Sequence, residues 1–234
     1  MAKGEYMKKI KTLGIIGGLG PETTARFYME VVFACSKISG RRPQILISNV
    51  AVPLSVEKEL ITEAKNMNNI LPFLLSAAKQ LEKGGADFIV IPCNTVHIFI
   101  EDIREYVNIP VLSIIEETSN FLRREEVKEV GLFATTATIN NKLFDENLKQ
   151  SGIKMIIPTT PNQAKMGVII NRLVNNQQTK KDKNEFLTII GDTNAKNVIL
   201  ACTDLQILNP KIDGVNIFDT MDILAKVAVR EILK

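Results

Sequence analysis

Two stretches of this chain share one pattern, and that repetition constrains the fold more than any other feature. Residues 89–99 read IVIPCNTVHIF and residues 198–208 read VILACTDLQIL. In each, an Ile- and Val-rich run meets a small residue or proline, then Cys, with Thr close behind. Such a run suits a strand buried on both faces of a parallel sheet. Cys93 and Cys202 then stand where a strand ends and the chain turns towards a helix. Open parallel sheets bind ligands just outside these carboxyl ends. Two thiols so placed point to one site with a base on each side.

The elements around these strands repeat as well. The first half predicts a strand at 13–16, a helix at 23–36 and a strand at 44–52 that ends at Pro53. Helices at 56–70 and 72–83 follow, then the Cys93 strand, a helix at 94–107 capped by Asn94 or Thr95, and a strand at 109–114. After a helix at 115–124, the order restarts with a strand and Thr-rich turn at 129–139 and a helix at 140–150. A strand at 153–157, helices at 162–175 and 182–190, the Cys202 strand, a strand at 215–218 and a helix at 221–233 complete it. The expected class is α/β, with two pseudo-two-fold-related lobes, each a mostly parallel sheet flanked by helices. The first lobe takes residues 1–114, completed by the C-terminal helix at 221–234, and the second takes 115–220. The site falls in the cleft between them.

Composition excludes several classes. With 45% hydrophobic and 24% charged residues, the chain has an ordinary globular balance. No apolar run reaches the roughly 20 residues that span a bilayer, and the lysine-bearing start has no secretory pattern. Residues 1–10 read as a ragged lead-in, with Met7 an alternative start. Three widely spaced cysteines form no disulfide framework, which favours a reduced, cytoplasmic protein. A net charge of +3 implies no nucleic-acid partner, and the basic run at 179–185 is broken by acids. One histidine and no paired cysteines argue against zinc. Cys35 lies among Val31, Val32 and Ile38 and reads as a small buried hydrophobe.

The loop GGLGPETT at 17–24 invites a dinucleotide reading, because glycines before a helix let a phosphate approach. The frame fits poorly: Thr23 takes the third glycine's place, Pro21 intrudes, and no acid follows the next strand. A small anion suits the loop better.

Inverting a carbon centre by proton transfer needs one group to remove a proton and another to deliver one to the opposite face. Cys93 and Cys202 can do this as a thiolate and thiol. A free thiol has a pKa of about 8.5, so only about 3% is ionised at pH 7. A helix N-terminus following each cysteine is expected to lower that value and bind a substrate carboxylate, with Thr95 and Thr203 adding hydroxyls. His97, one turn beyond Cys93, either polarises the site or fixes the helix start. Asp204 either tunes Cys202 or favours its helix N-terminus.

At these residues the sequence resembles the aspartate/glutamate racemase family of cofactor-independent amino-acid racemases. The matching segments are GIIGGLGPETTARFY near the start, PCNTVH, GLFATTATI and ACTDL. They fall in the family's order over nearly the whole chain. The resemblance implies two Rossmann-like lobes in a homodimer that acts on a small, acidic amino acid without pyridoxal phosphate or metal. It makes Cys93 and Cys202 the catalytic pair and Asn94, Thr95, Val96, Thr203 and Lys165 substrate contacts. Ser55, Gly18, Leu19, Thr136 and Thr138 are further candidate substrate contacts. Aspartate-specific members carry an arginine in a P-x-R pattern, where this chain has Ser55; Arg41, Arg42 or Lys58 are the substitutes in reach. The acid after Cys-Thr is the shorter Asp204 in place of Glu. Aspartate racemisation is the expected reaction, with glutamate, another amino acid, maleate isomerisation or carboxylate sensing as alternatives.

Overall fold

The computed structural model describes residues 10–60 and 64–234, with Lys58 described by its backbone alone. The lead-in through residue 9, including Met7, lies outside the described residues. The strands are β1 (Leu13–Gly17), β2 (Ile45–Asn49), β3 (Phe88–Val90), β4 (Val111–Leu112), β5 (Glu129–Ala134), β6 (Lys154–Ile156), β7 (Asn197–Ala201) and β8 (Asn216–Asp219). They form two parallel sheets with one repeated order, β2-β1-β3-β4 and β6-β5-β7-β8. Leu13 lies between Ile45 and Phe88, and Gly131 between Ile156 and Val198. Parallel neighbours require crossovers, which helices supply. The first half carries α1 (Pro21–Ser39), α2 (Leu54–Lys58), α3 (Leu71–Lys83), α4 (Ile100–Tyr106) and α5 (Ile114–Arg124). The second carries α6 (Thr136–Asn140), α7 (Asp145–Gln150), α8 (Thr160–Val174), α9 (Lys180–Asp192) and α10 (Thr220–Ile232). The α/β class and the repeated architecture are those expected.

Strand side chains alternate between faces, and this alternation builds three cores. Leu13, Ile15, Phe88 and Val90 point to one cluster, which they share with Leu132, Ala134, Ile199 and Ala201 of the other sheet. The intervening residues turn outward: Ile16 and Ile89 into a core under α3, Phe133, Val198 and Leu200 into a core under α8 and α9. The shared core also receives Phe27 of α1, Ile115 of α5 and Leu224 and Ala228 of α10. Each fully buried Phe, Ile or Leu side chain among them contributes about 1.5–3 kcal/mol. Cys35 is buried in this shared core, as its apolar neighbours implied. Because one core serves both sheets, their strand ends are held in fixed relation.

Local signals explain where elements start and stop, including where the sequence misleads. Pro21 suits the first turn of α1, and Gly40 in a left-handed conformation closes it. Thr179 and Asp182 form a capping box at α9. The long helix expected at 56–70 is instead α2 and a 3₁₀ turn at Met67–Ile70, with Asn66 at φ +47° just before it. Its residues 61–63 lie outside the described residues. The helix expected at 94–107 breaks at Phe99, between a 3₁₀ turn (Thr95–Phe99) and α4. The helix expected from 140 begins only at Asp145, because Lys142 adopts φ +53° and turns the chain first. The strand expected at 109–114 pairs only at Val111–Leu112, since Ser113 already caps α5. Among the described residues no helix is long and apolar enough to cross a membrane.

Candidate active site

Cys93 follows β3 by three residues, and its N–H donates to the Ile91 carbonyl at 2.8 Å. Asn94 does not cap the turn; its Nδ2 donates instead to Thr220 Oγ1 at 3.0 Å. The Thr220 hydroxyl in turn donates to the Leu200 carbonyl of β7 at 3.0 Å. Asn94 Oδ1 is left as a buried acceptor with no hydrogen-bond partner. Thr95 Oγ1 lies 3.0 Å from Thr135 Oγ1 and 3.4 Å from Thr138 Oγ1, and Thr135 donates to Thr138 at 3.0 Å. Three buried hydroxyls thus meet where the first lobe touches the second.

His97 settles between its two readings by geometry. The Ile114 N–H donates to Nε2 at 3.1 Å, so the proton sits on Nδ1, which donates to the Cys93 carbonyl at 2.7 Å. Burial holds its pKa down at about 4, with Arg104 acting the same way. His97 is therefore a neutral tie between the Cys93 turn and the start of α5.

Cys202 follows β7 directly and opens a 3₁₀ turn at Thr203–Leu208. The Thr203 hydroxyl donates to the Pro92 carbonyl at 3.3 Å, which joins the two cysteine turns. Asp204 is 7% exposed and reaches back into the first lobe. The Thr23 hydroxyl donates to its Oδ1 at 2.7 Å, and the Cys202 thiol faces its Oδ2 at 3.8 Å. A β-carbon at Gly20 would stand 3.1 Å from Asp204 Oδ1, so glycine permits this approach. Gly18, at φ +88°, would drive one to 2.8 Å from Asn49 Oδ1. The anionic group brought to the glycine loop is thus the chain's own Asp204.

Both thiols are free and nearly buried, Cys93 8% and Cys202 6% exposed. Burial pushes Cys93 up to about 12, and the charges of Asp204 and Glu57 act in the same sense. The N–H groups of Val96 and Thr95 oppose this without reversing it. Burial also raises Cys202 well above the usual thiol range, followed by Asp204 and then Cys93 itself. The expected lowering at helix starts is therefore corrected. Turns of five and six 3₁₀ residues offer few aligned dipoles, and desolvation beside a carboxylate outweighs them. Both cysteines are therefore protonated at neutral pH.

The remaining predicted residues divide. Val96 and Leu19 are buried in the first lobe's own core. Thr138 belongs to the hydroxyl trio, whereas Thr136 is half-buried and lies 3.5 Å from Gln163 Nε2 of α8. Ser55 is exposed on α2. Lys165 is exposed and pairs with Glu185 at 3.7 Å, and it is not among the charges acting on either cysteine. Arg41 and Arg42 are exposed, Arg42 lying over the Phe33 ring, and the Lys58 side chain lies outside the described residues. Thr23, Glu57, Thr135 and Thr220 act on the cysteine turns by contact or charge and were not singled out from the sequence. Thr23, in the first turn of α1, and Thr135, the N-cap of α6, follow equivalent strands, a signal the repeat already contained. Among the described residues, no three of His, Cys, Asp and Glu gather as candidate metal ligands.

The family model for Asp/Glu/hydantoin racemase matches residues 16–228. The broad-specificity amino-acid racemase RacX of Bacillus subtilis is 29% identical over 93% of this chain and 96% of its own. An aspartate racemase homologue from Pyrococcus horikoshii superposes with a TM-score of 0.75, at 25% identity, over 96% of this chain and all of its own. The aspartate racemase of Picrophilus torridus has the same fold, with a TM-score of 0.78 at 23% identity over 96% and 95% of the two chains. With matched strand-end cysteines, a repeated sheet order and a model match across nearly its whole length, this chain belongs to the Asp/Glu/hydantoin racemase family.

Proposed function

We propose that this isomerase interconverts L- and D-amino acids by direct proton transfer between Cys93, the substrate α-carbon and Cys202. One cysteine, as thiolate, takes the α-proton while the C–H electrons pass into the carboxylate-stabilised carbanion. The other, as thiol, delivers its proton to the opposite face. The next turnover runs from the exchanged protonation state. The observation that carries this reading is the Thr203–Pro92 hydrogen bond, which holds two cysteine turns from equivalent strand ends against each other. The raised thiol pKa values fit a site that ionises only with substrate bound. An α-ammonium near Asp204 and the unpartnered Asn94 Oδ1 would offset the negative charge that keeps the thiols protonated. In this reading the hydroxyls of Thr95 and Thr138 are the donors to the α-carboxylate.

Aspartate is the second reading, favoured by the likeness to the aspartate racemase homologue of Pyrococcus horikoshii at 25% identity. The test is chiral chromatography after incubating fully reduced protein, without added cofactor, with acidic, neutral and basic L-amino acids. A D-enantiomer formed by wild type and absent with Cys93→Ser supports the reading. Conversion that survives Cys93→Ser contradicts it.

A further inference from the structure

The charges around the two thiols are unbalanced. Asp204 is almost fully buried and touches Thr23 and Cys202. Glu57, on the short helix α2, is half-buried; its charge acts on Cys93, and the Asp204 charge acts on it. No hydrogen bond or ion pair to its carboxylate is formed within the described residues. Burial, then the Asp204 charge, raises the Glu57 pKa, and burial raises that of Asp204 as well. The charges acting on Cys93, Cys202, Asp204 and Glu57 are all acidic, including Glu22 at Asp204; no lysine or arginine is among them. Asn94 Oδ1 adds a buried acceptor without a donor. Among the described residues the site therefore has more acceptors than donors and no cation acting on it.

An amino acid brings one α-ammonium, and Asp204 with Asn94 Oδ1 is enough to receive it. Glu57 remains. A substrate with a side-chain carboxylate would bring a further negative charge into this partly desolvated site, where like charges repel strongly. A side-chain ammonium or guanidinium would supply the missing partner. Resting on the racemase reading above, we propose that the site selects amino acids with cationic side chains and that Glu57 is the residue that receives them. Ser55, on the same helix, supplies no positive charge there.

The test compares kcat/KM for L-lysine, L-arginine, L-methionine, L-aspartate and L-glutamate with wild type and with Glu57→Gln, an isosteric change at a partly exposed position. Wild type is expected to favour lysine or arginine over aspartate and glutamate by at least about 100-fold. Glu57→Gln is expected to lower the lysine-to-methionine ratio at least about ten-fold, mainly through KM. Aspartate or glutamate turned over as well as lysine overturns this inference and leaves the racemase reading standing. So does a Glu57→Gln variant that slows lysine and methionine equally. No conversion of any amino acid overturns both.

Discussion

The two cysteine turns occupy equivalent places yet solve the same problem with different chemistry. Cys93-Asn94-Thr95 is neutral, and Cys202-Thr203-Asp204 carries a carboxylate. Thr95 and Asp204 are counterparts, and each reaches across the junction to a threonine after the other sheet's first strand. Thr95 meets Thr135 and Thr138, and Asp204 meets Thr23. The first turn is braced by His97 to α5. The second is braced by Thr203 to Pro92. The difference teaches that symmetry is kept where position matters and broken where charge matters. Both thiols stand at strand ends, but only Cys202 faces a carboxylate, that of Asp204 at 3.8 Å.

The largest effect that probes this comparison is loss of either thiol. Cys93→Ser and Cys202→Ser should each lower racemisation at least about 10³-fold, because either proton transfer limits inversion in both directions. A variant that keeps a tenth of the activity would break the equivalence, with circular dichroism confirming that the fold persists. Next is the His97 tie. His97→Ala leaves the buried Ile114 N–H and Cys93 carbonyl without partners and should cost about 2–4 kcal/mol in urea unfolding.

His97 is the only histidine, so its titration is separable. Its folded pKa of about 4 lies below the unfolded value of 6.5, so below pH 6.5 the unfolded chain binds the extra proton. Stability from neutral His97 is complete above pH 6.5 and lost as pH falls through 4, by about 3 kcal/mol in all. Unfolding free energies measured from pH 7 to 4 should show this slope in wild type, and His97→Ala should lack it. The Asp204 asymmetry predicts a smaller change. Asp204→Asn removes a charge that raises both thiols, so iodoacetamide should label Cys202 about ten-fold faster at pH 8, with a lesser gain at Cys93. Equal gains would erase the distinction between the turns. Smallest is Thr203→Val, which removes one 3.3 Å hydrogen bond and should cost about 1 kcal/mol or less.

The lobes were legible because buried parallel strands leave short Ile/Val runs, and here those runs recur in the same order. Cys93 and Cys202 were legible for the same reason. The direction of their pKa shift was not, since it depends on burial and on Asp204 and Glu57, which tertiary folding brings in. Glu57 lies 36 positions before Cys93, in a segment whose pattern reads as one long helix, so nothing local marks it. Asp204 was visible, but its partner Thr23 lies 181 residues away in sequence. His97 could be assigned only once Ile114 was seen to donate to it. Periodicity reports which face is buried; it carries no information on which polar atoms meet across the junction.

Isotope transfer distinguishes inversion by two thiols from inversion by one. The preferred L-amino acid is incubated with wild type in deuterated buffer, and both enantiomers are recovered at under a tenth of conversion. Two facing thiols predict a D-product fully deuterated at the α-carbon while the remaining L-substrate keeps its proton. The incoming hydrogen then comes from a solvent-exchanged thiol on the opposite face. A D-product that retains the original proton, or equal labelling of both enantiomers from the start, would contradict two separate bases and leave one group serving both faces.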